Sequence, residues 1–249
     1  MPSHKKRRLD QRLVEEGLAP SRARAADLVR RGCVTVAGEP VLKPGALVAE
    51  DAPLAVAADA GSSHVSRGTL KLIAALRSFG LSPHGAVALD VGASTGGFTE
   101  VLLGEGAAKV YAVDVGRDQL HERLRADPRV VSLEATDARK IDQTLIPEPV
   151  TAMVADVSFI SLTQALPAAL KRAAPGAWLV VLVKPQFEAG REAIGKGGIV
   201  RDETEWMRAI TRVRDFLESE GWQVIGVMPS PITGGSGNVE FLIGARNAS

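Results

Sequence analysis

The stretch Asp90-Val91-Gly92-Ala93-Ser94-Thr95-Gly96-Gly97-Phe98 follows an apolar run ending at Val91 and leads directly into Thr99-Glu100-Val101. A strand, a turn of small residues and a helix with an acid in its first turn form the opening unit of a parallel sheet. Backbone without bulky side chains also lets a ligand come close. The turn departs from the dinucleotide pattern G-x-G-x-x-G, because Ser94 stands where the middle glycine would. Such a loop alone is no more than a way of joining a strand to a helix. The acids beyond it add the chemistry: Asp114 lies 22 residues past Gly92 at the end of the next strand, where a carboxylate accepts the two ribose hydroxyls of an adenosine. Asp137, just past the third strand, is placed to meet an adenine amino group. Gly92, Ala93, Ser94, Thr95, Gly96, Gly97 and Phe98, with Asp114 and Asp137, are therefore expected to bind an adenosine-containing cofactor.

Working outward, strands are expected at Ala86 to Val91, Lys109 to Val115, Val130 to Glu134, Thr151 to Asp156, Ala177 to Lys184, Gln223 to Met228 and Val239 to Ala245, with a long helix from Glu203 to Ser219. This alternation predicts an α/β fold, a doubly wound sheet of seven strands covered on both faces. Three charges stand where apolar strand residues belong: Asp156 after Ala152-Met153-Val154-Ala155, Lys184 after Leu179-Val180-Val181-Leu182-Val183, and Glu240 inside Asn238-Val239-Glu240-Phe241. Ligands of such sheets bind at the carboxyl ends of the strands. A charge buried there needs a partner, since an unpaired one costs several kcal/mol. Lys71, in the helix Thr69 to Phe79, is a fourth candidate.

The chain before this sheet has a different character. Residues 1 to 31 hold nine basic and four acidic residues, an excess of +5, and the remainder carries −4. Leu9, Leu13 and Val14 mark a short helix closed by Gly17. Ser21 caps a second helix, Arg22 to Arg31, with Ala25, Leu28 and Val29 on its buried face and Gly32 beyond its end. Cys33 to Ala37 reads as a strand, Gly38-Glu39-Pro40 as a turn and Ala46 to Val56 as one or two further short strands. A small basic α+β module at residues 8–58, a linker at 59–65 and a catalytic domain at 66–247 are expected. No aromatic residue precedes Phe79, so the module has no ring on which to stack bases, leaving shape and phosphate recognition.

Composition narrows the class of function. The longest apolar run, Ala177 to Val183, is far short of the ~20 residues a membrane helix needs. The basic run Lys5 to Arg8 leads into Leu9-Asp10-Gln11-Arg12 instead of an apolar segment, which argues against a secretory signal, and a cytoplasmic location is expected. A single cysteine, Cys33, permits no internal disulfide and no cysteine cluster for zinc. The site residues include no histidine, and no metal is expected.

Read together, several segments are similar to one family: Val65-Ser66-Arg67-Gly68 with Lys71, the Asp90 to Phe98 loop, Asp156-Val157-Ser158-Phe159-Ile160-Ser161-Leu162, Lys184-Pro185-Gln186-Phe187-Glu188, Gly197-Gly198-Ile199-Val200-Arg201-Asp202 and Gly237-Asn238-Val239-Glu240-Phe241. Nearly the whole chain resembles the TlyA family, in which an RNA-binding domain of the ribosomal protein S-four type precedes an FtsJ-like methyltransferase domain with a Rossmann-like sheet. The amino-terminal resemblance rests on Arg-Leu-Asp at 8–10, Ser21-Arg22 and the Gly32 to Gly38 strand.

The resemblance implies transfer of a methyl group from S-adenosyl-L-methionine to a cytidine 2′-hydroxyl of ribosomal RNA, with ribosomal subunits as partners. It implies a Lys71, Asp156, Lys184, Glu240 tetrad for the chemistry, with Asp156 also at the cofactor, and it places Arg8, Arg12, Arg22 and Arg24, extended to Arg30, Arg31 and Lys43, near RNA phosphates. Arginine suits that role because its planar fork meets two phosphate oxygens. Family members differ in the subunit they modify, and this sequence leaves the choice open. His64 departs from the aromatic residue common before Val-Ser-Arg-Gly in the family's linker. A base-methylating enzyme would carry a polar-Pro-Pro-aromatic motif, and Asp156-Val157-Ser158-Phe159 has no proline. The alternative is a catalytically inactive RNA-binding assembly factor, against which the intact loop and complete tetrad argue.

Overall fold

The computed structural model describes residues 6–19, 21–30, 33–56, 65–190, 195, 197–235 and 237–248, with backbone alone at 23, 24, 27 and 30. The chain divides into two compact units, Met1–Arg67 and Gly68–Ser249. Arg31, most of the expected linker with His64, and the side chains of Arg24 and Arg30 lie outside the described residues.

In the first unit, strand β1 (Lys6–Arg8) runs into helix α1 (Leu9–Glu15), and helix α2 (Arg22–Arg30) precedes the short strands β2 (Val34–Val36), β3 (Glu39–Pro40), β4 (Leu47–Ala49) and β5 (Leu54–Val56). β2 is the centre of a three-stranded sheet ordered β3-β2-β5, while β1 pairs antiparallel with β4. Gly17 ends the α1 segment with φ 71°, a conformation cheap only for glycine. Leu9, Leu13, Ala25, Leu28, Val29 and Val34 form the core, so the two apolar helix faces meet each other. β1 was legible only as a basic run, because its three residues are exposed and its partner lies some forty residues away.

The second unit is a seven-stranded sheet built from β6 (Val87–Val91), β7 (Lys109–Val113), β8 (Val130–Leu133), β9 (Val150–Ala155), β10 (Ala173–Val183), β11 (Trp222–Pro229) and β12 (Phe241–Asn247). Their order is β11-β12-β10-β9-β6-β7-β8, with β12 antiparallel to both its neighbours and the remaining pairings parallel. The expected doubly wound sheet is what forms. β6 leads to β7 and β8 on one side, and the chain then crosses back to β9 on the other. The crevice opened by that reversal is where ligands of such sheets bind.

One face of the sheet carries Leu89, Val91, Met153, Leu179, Val181 and Ile243, packed on Ala209, Val213 and Leu217 of the long helix Glu203–Ser219. Asp202 caps that helix by accepting the Thr204 N–H at 2.8 Å. The alternate residues face helices α3 (Gly68–Phe79) and α4 (Gly97–Gly104), which touch each other. Phe79 at the end of α3 lies over Gly226 and Gly244. A Cβ at Gly244 would stand 2.6 Å from its ring, so these two glycines form the notch that fixes α3, and with it Lys71, on β11 and β12.

Candidate active site

The carboxyl edge of the sheet gathers every acid and lysine singled out above in the catalytic unit. Its starting point is the β6–α4 turn. Gly92 has φ 84°, and a Cβ there would lie 2.5 Å from the Asp156 carbonyl oxygen, so only glycine lets the ends of β6 and β9 draw together. The Gly92 and Ala93 N–H groups both donate to the Val113 carbonyl. Ser94 sits at φ 49°, held there by donation of its N–H to Asp114 Oδ2 at 2.8 Å. Asp114 Oδ1 accepts the Gly116 N–H at 2.7 Å, so the carboxylate is fixed at both oxygens and each keeps a lone pair for a ligand.

The residues of this turn therefore divide. Gly92 and Ser94 line a cavity of about 450 Å³ together with Asp114, Asp137, Asp156 and Phe159. Thr95 is exposed and accepts the His121 N–H on its carbonyl. Ala93, Gly96, Gly97 and Phe98 are buried framework, with Gly96 closed in by Leu120 and Leu124. Asp137 caps a one-turn 3-10 helix, Ala138–Lys140, and takes Arg139 on both carboxylate oxygens; that side-chain hydrogen bonding holds its carboxyl down at about 2.

The four candidate catalytic residues form two ion pairs. Lys71 Nζ lies 2.6 Å from Glu240 Oε2, both side chains buried. Lys184 Nζ lies 2.6 Å from Asp156 Oδ1, a contact without hydrogen-bond alignment, and donates to Ser158 Oγ at 2.7 Å. Sheet register relates the two pairs. Val183 stands opposite Phe241, so Lys184 and Glu240 are the next residues out on neighbouring strands, and Asp156 follows the parallel neighbour β9 directly. Along the edge the charges then run Asp156, Lys184, Glu240, Lys71, alternating in sign. Glu240 was expected within a strand and lies one residue before β12, since the chain turns there: its carbonyl accepts the Ser230 N–H. Gly234 leaves room for its carboxylate, as a Cβ would stand 2.4 Å from Glu240 Oε1. Asn238 pins the Gly198–Val200 segment beside it, accepting from Val200 N and donating to the Gly198 carbonyl, both at 3.0 Å.

Four residues had no role in the sequence reading. Asp90 is fully buried; burial pushes its carboxyl up to about 7, with the Asp156 and Asp114 charges adding to the rise and the Thr99 hydroxyl, 2.7 Å from Oδ2, opposing it. Its Oδ1 has no partner. Ser158 holds Lys184. Phe159 is 91% exposed at the cavity with φ 66°, and its ring tilts against Phe187. Glu188 ties two loops together: its carboxylate accepts the Ser161 hydroxyl at 2.6 Å and the Leu162 N–H at 2.8 Å, closing the segment after Asp156 onto the segment after Lys184. Burial raises its carboxyl above the usual range. The signal for all four lay in the quoted motifs, whose polar and aromatic positions carry no periodicity that names a partner.

In the first unit, Arg8 and Arg22 are half-exposed and both bind the buried Asp10, and Lys43 is exposed on the turn before β4. Arg12 was expected to face phosphate. It is buried, with its guanidinium spent on the Ala49 and Ala52 carbonyls and on Glu16.

Residues 64–247 match the family model of FtsJ-like methyltransferases, and residues 7–52 match that of the S4 domain. The chain is 47% identical to the 16S/23S rRNA (cytidine-2′-O)-methyltransferase TlyA of Mycobacterium tuberculosis over 96% of this chain and 89% of that one. It is 39% identical to hemolysin A of Brachyspira hyodysenteriae, over 94% of this chain and 98% of that one. Among solved structures, a candidate hemolysin of Streptococcus thermophilus is similar with TM-score 0.77 and 41% identity, over 99% of this chain and 90% of that one.

Proposed function

The chain belongs to the TlyA family of FtsJ-like methyltransferases that carry an S4 domain, and we propose that it methylates a cytidine 2′-hydroxyl of ribosomal RNA at the expense of S-adenosylmethionine. The observation that carries this reading is the row of alternating charges, Asp156, Lys184, Glu240 and Lys71, at the sheet edge beside the cavity. The cavity fits the cofactor's chemistry: Asp114 offers acceptors for ribose hydroxyls, and the Asp114, Asp137 and Asp156 carboxylates suit a cationic ligand. Bound there, S-adenosylmethionine supplies an electrophilic methyl group on a positively charged sulfur. The protein's task is then to orient a poor nucleophile. Lys184, paired with Asp156, donates to the ribose oxygen and stabilises the negative charge that grows on it while the hydroxyl proton passes to solvent and the methyl bond to sulfur breaks. Ser158 fixes the ammonium's direction, and Lys71 neutralises Glu240 so that the buried row carries no net charge.

The exposed Phe159 ring provides a surface for a base turned out of its helix, the usual way a protein reads RNA for chemistry. Arg8, Arg22 and Lys43 serve the RNA backbone, with Arg24, Arg30 and Arg31 joining them on the strength of the sequence, while Arg12 acts from within the unit.

The test is incubation of the purified protein with methyl-labelled S-adenosylmethionine and, separately, unmodified small subunits, large subunits and free ribosomal RNA, followed by nucleoside analysis. Label in 2′-O-methylcytidine is the expected result. Cofactor binding with no label on any substrate would favour an assembly factor without catalysis. Lys184→Ala is expected to abolish transfer and leave cofactor binding largely intact; loss of both together would mean a damaged fold and a misassigned role.

A further inference from the structure

Asp10 is the least expected residue in a surface read as RNA-binding. It is an acid, its side chain is 6% exposed, and it lies at the centre of the most basic part of the chain. Arg8 grips it with two prongs, Nε to Oδ1 at 3.0 Å and Nη2 to Oδ2 at 2.9 Å. Arg22, from the other helix, places its Nη2 on the same Oδ2 at 3.1 Å. Two guanidinium groups that would repel each other are thus held side by side by the carboxylate between them, and each keeps about half its side chain in solvent.

The backbone prepares this arrangement. Asp10 N–H donates to the Pro44 carbonyl and Leu9 N–H to the Ala46 carbonyl, which brings the Lys43–Ala46 turn against the start of α1. Arg8 then lies across Gly45, where a Cβ would stand 3.1 Å from its Nη1. Lys43, exposed on that turn, adds a third cation. The carboxyl of Asp10 is held down at about 2, chiefly by its hydrogen bond from Arg8, so it stays charged at any working pH.

We propose that Asp10 is a positioning residue for RNA: it locks Arg8 and Arg22 into one rigid pad that meets a backbone phosphate with donors already aimed. This rests on the RNA-binding reading above. A guanidinium fixed in advance loses less entropy on binding than a free one, and both side chains here stay about half exposed. The proposal reverses the sign expected from charge alone. Removing a negative charge from an RNA-binding surface should tighten binding; removing a positioning carboxylate should loosen it.

The experiment measures equilibrium binding of unmodified ribosomal subunits by the full chain at two salt concentrations, with thermal unfolding alongside, for wild type, Asp10→Asn, Arg8→Gln and Arg22→Gln. Asp10→Asn is expected to weaken binding about tenfold, the loss of one charged hydrogen bond, and to flatten the salt dependence, although it makes the chain more positive. Equal or tighter binding by Asp10→Asn, with both Arg→Gln variants weakened, overturns the positioning role and leaves RNA binding by this face intact. Full-strength binding by both Arg→Gln variants overturns the RNA-binding reading itself. If Asp10→Asn unfolds early, Arg8→Lys decides, because it keeps the charge and loses the two-pronged grip: a tenfold loss supports the proposal and unchanged affinity refutes it.

Discussion

Asp90→Asn tests how the sheet edge accommodates so many carboxylates. Burial pushes the Asp90 carboxyl from 3.8 up to about 7, and its nearest charged neighbours, Asp156 and Asp114, are both acids. Between about pH 4 and pH 7 the folded chain keeps a proton that the unfolded chain has lost, so stability falls as pH rises through that window. Above it, the ionised and buried carboxylate costs about 4 kcal/mol, from roughly 3 pKa units at 1.4 kcal/mol each. Asparagine has the same shape and never ionises. The stability of Asp90→Asn relative to wild type is therefore expected to grow by about 2 to 3 kcal/mol between pH 5 and pH 8. Urea unfolding followed by tryptophan fluorescence reads this unit alone, since Trp178, Trp206 and Trp222 all lie beyond residue 67. Parallel pH profiles for the two proteins would refute the reasoning and mean that water or a rearranged donor reaches Oδ1 and lets Asp90 ionise normally.

Lys71→Ala leaves the Glu240 carboxylate buried without its cation and is expected to cost about 3–5 kcal/mol in denaturant unfolding, whereas Lys71→Met with Glu240→Leu recovers most of the stability and stays inactive; an active double variant would remove this pair from the site. Glu188→Ala strands the buried Leu162 N–H and frees the loop after Asp156, so kcat should fall at least tenfold with a stability loss of about 1–3 kcal/mol, and a wild-type kcat would show that the strut does not matter to the chemistry. Phe159→Gly removes a positive φ from a bulky residue and should stabilise the fold by about 1 kcal/mol. The same change should lower kcat/KM for RNA at least tenfold, and unimpaired methylation would eliminate the ring as a base-stacking surface.

What could be read from residues alone was whatever depends on neighbours in the chain. The alternation of apolar runs and helical stripes located all seven strands of the large sheet and the long helix Glu203–Ser219. The small-residue turn at 92–97 and the misplaced charges at 156, 184 and 240 were visible because they break local patterns. Interactions that span the chain had no such signature. Lys71 and Glu240 are 169 residues apart and meet only because Phe79 seats α3 on two glycines of β11 and β12. The alternating order of the four charges follows from sheet register, in which Lys184 and Glu240 come next after the Val183–Phe241 pair. Arg8 and Arg12 looked alike as basic residues, yet one faces solvent beside Asp10 and the other is consumed by the Ala49 and Ala52 carbonyls. The raised carboxyl of Asp90 belongs to the same class, because burial and two carboxylates distant in sequence set it, and a carboxyl's tendency to ionise is decided by what surrounds it in space.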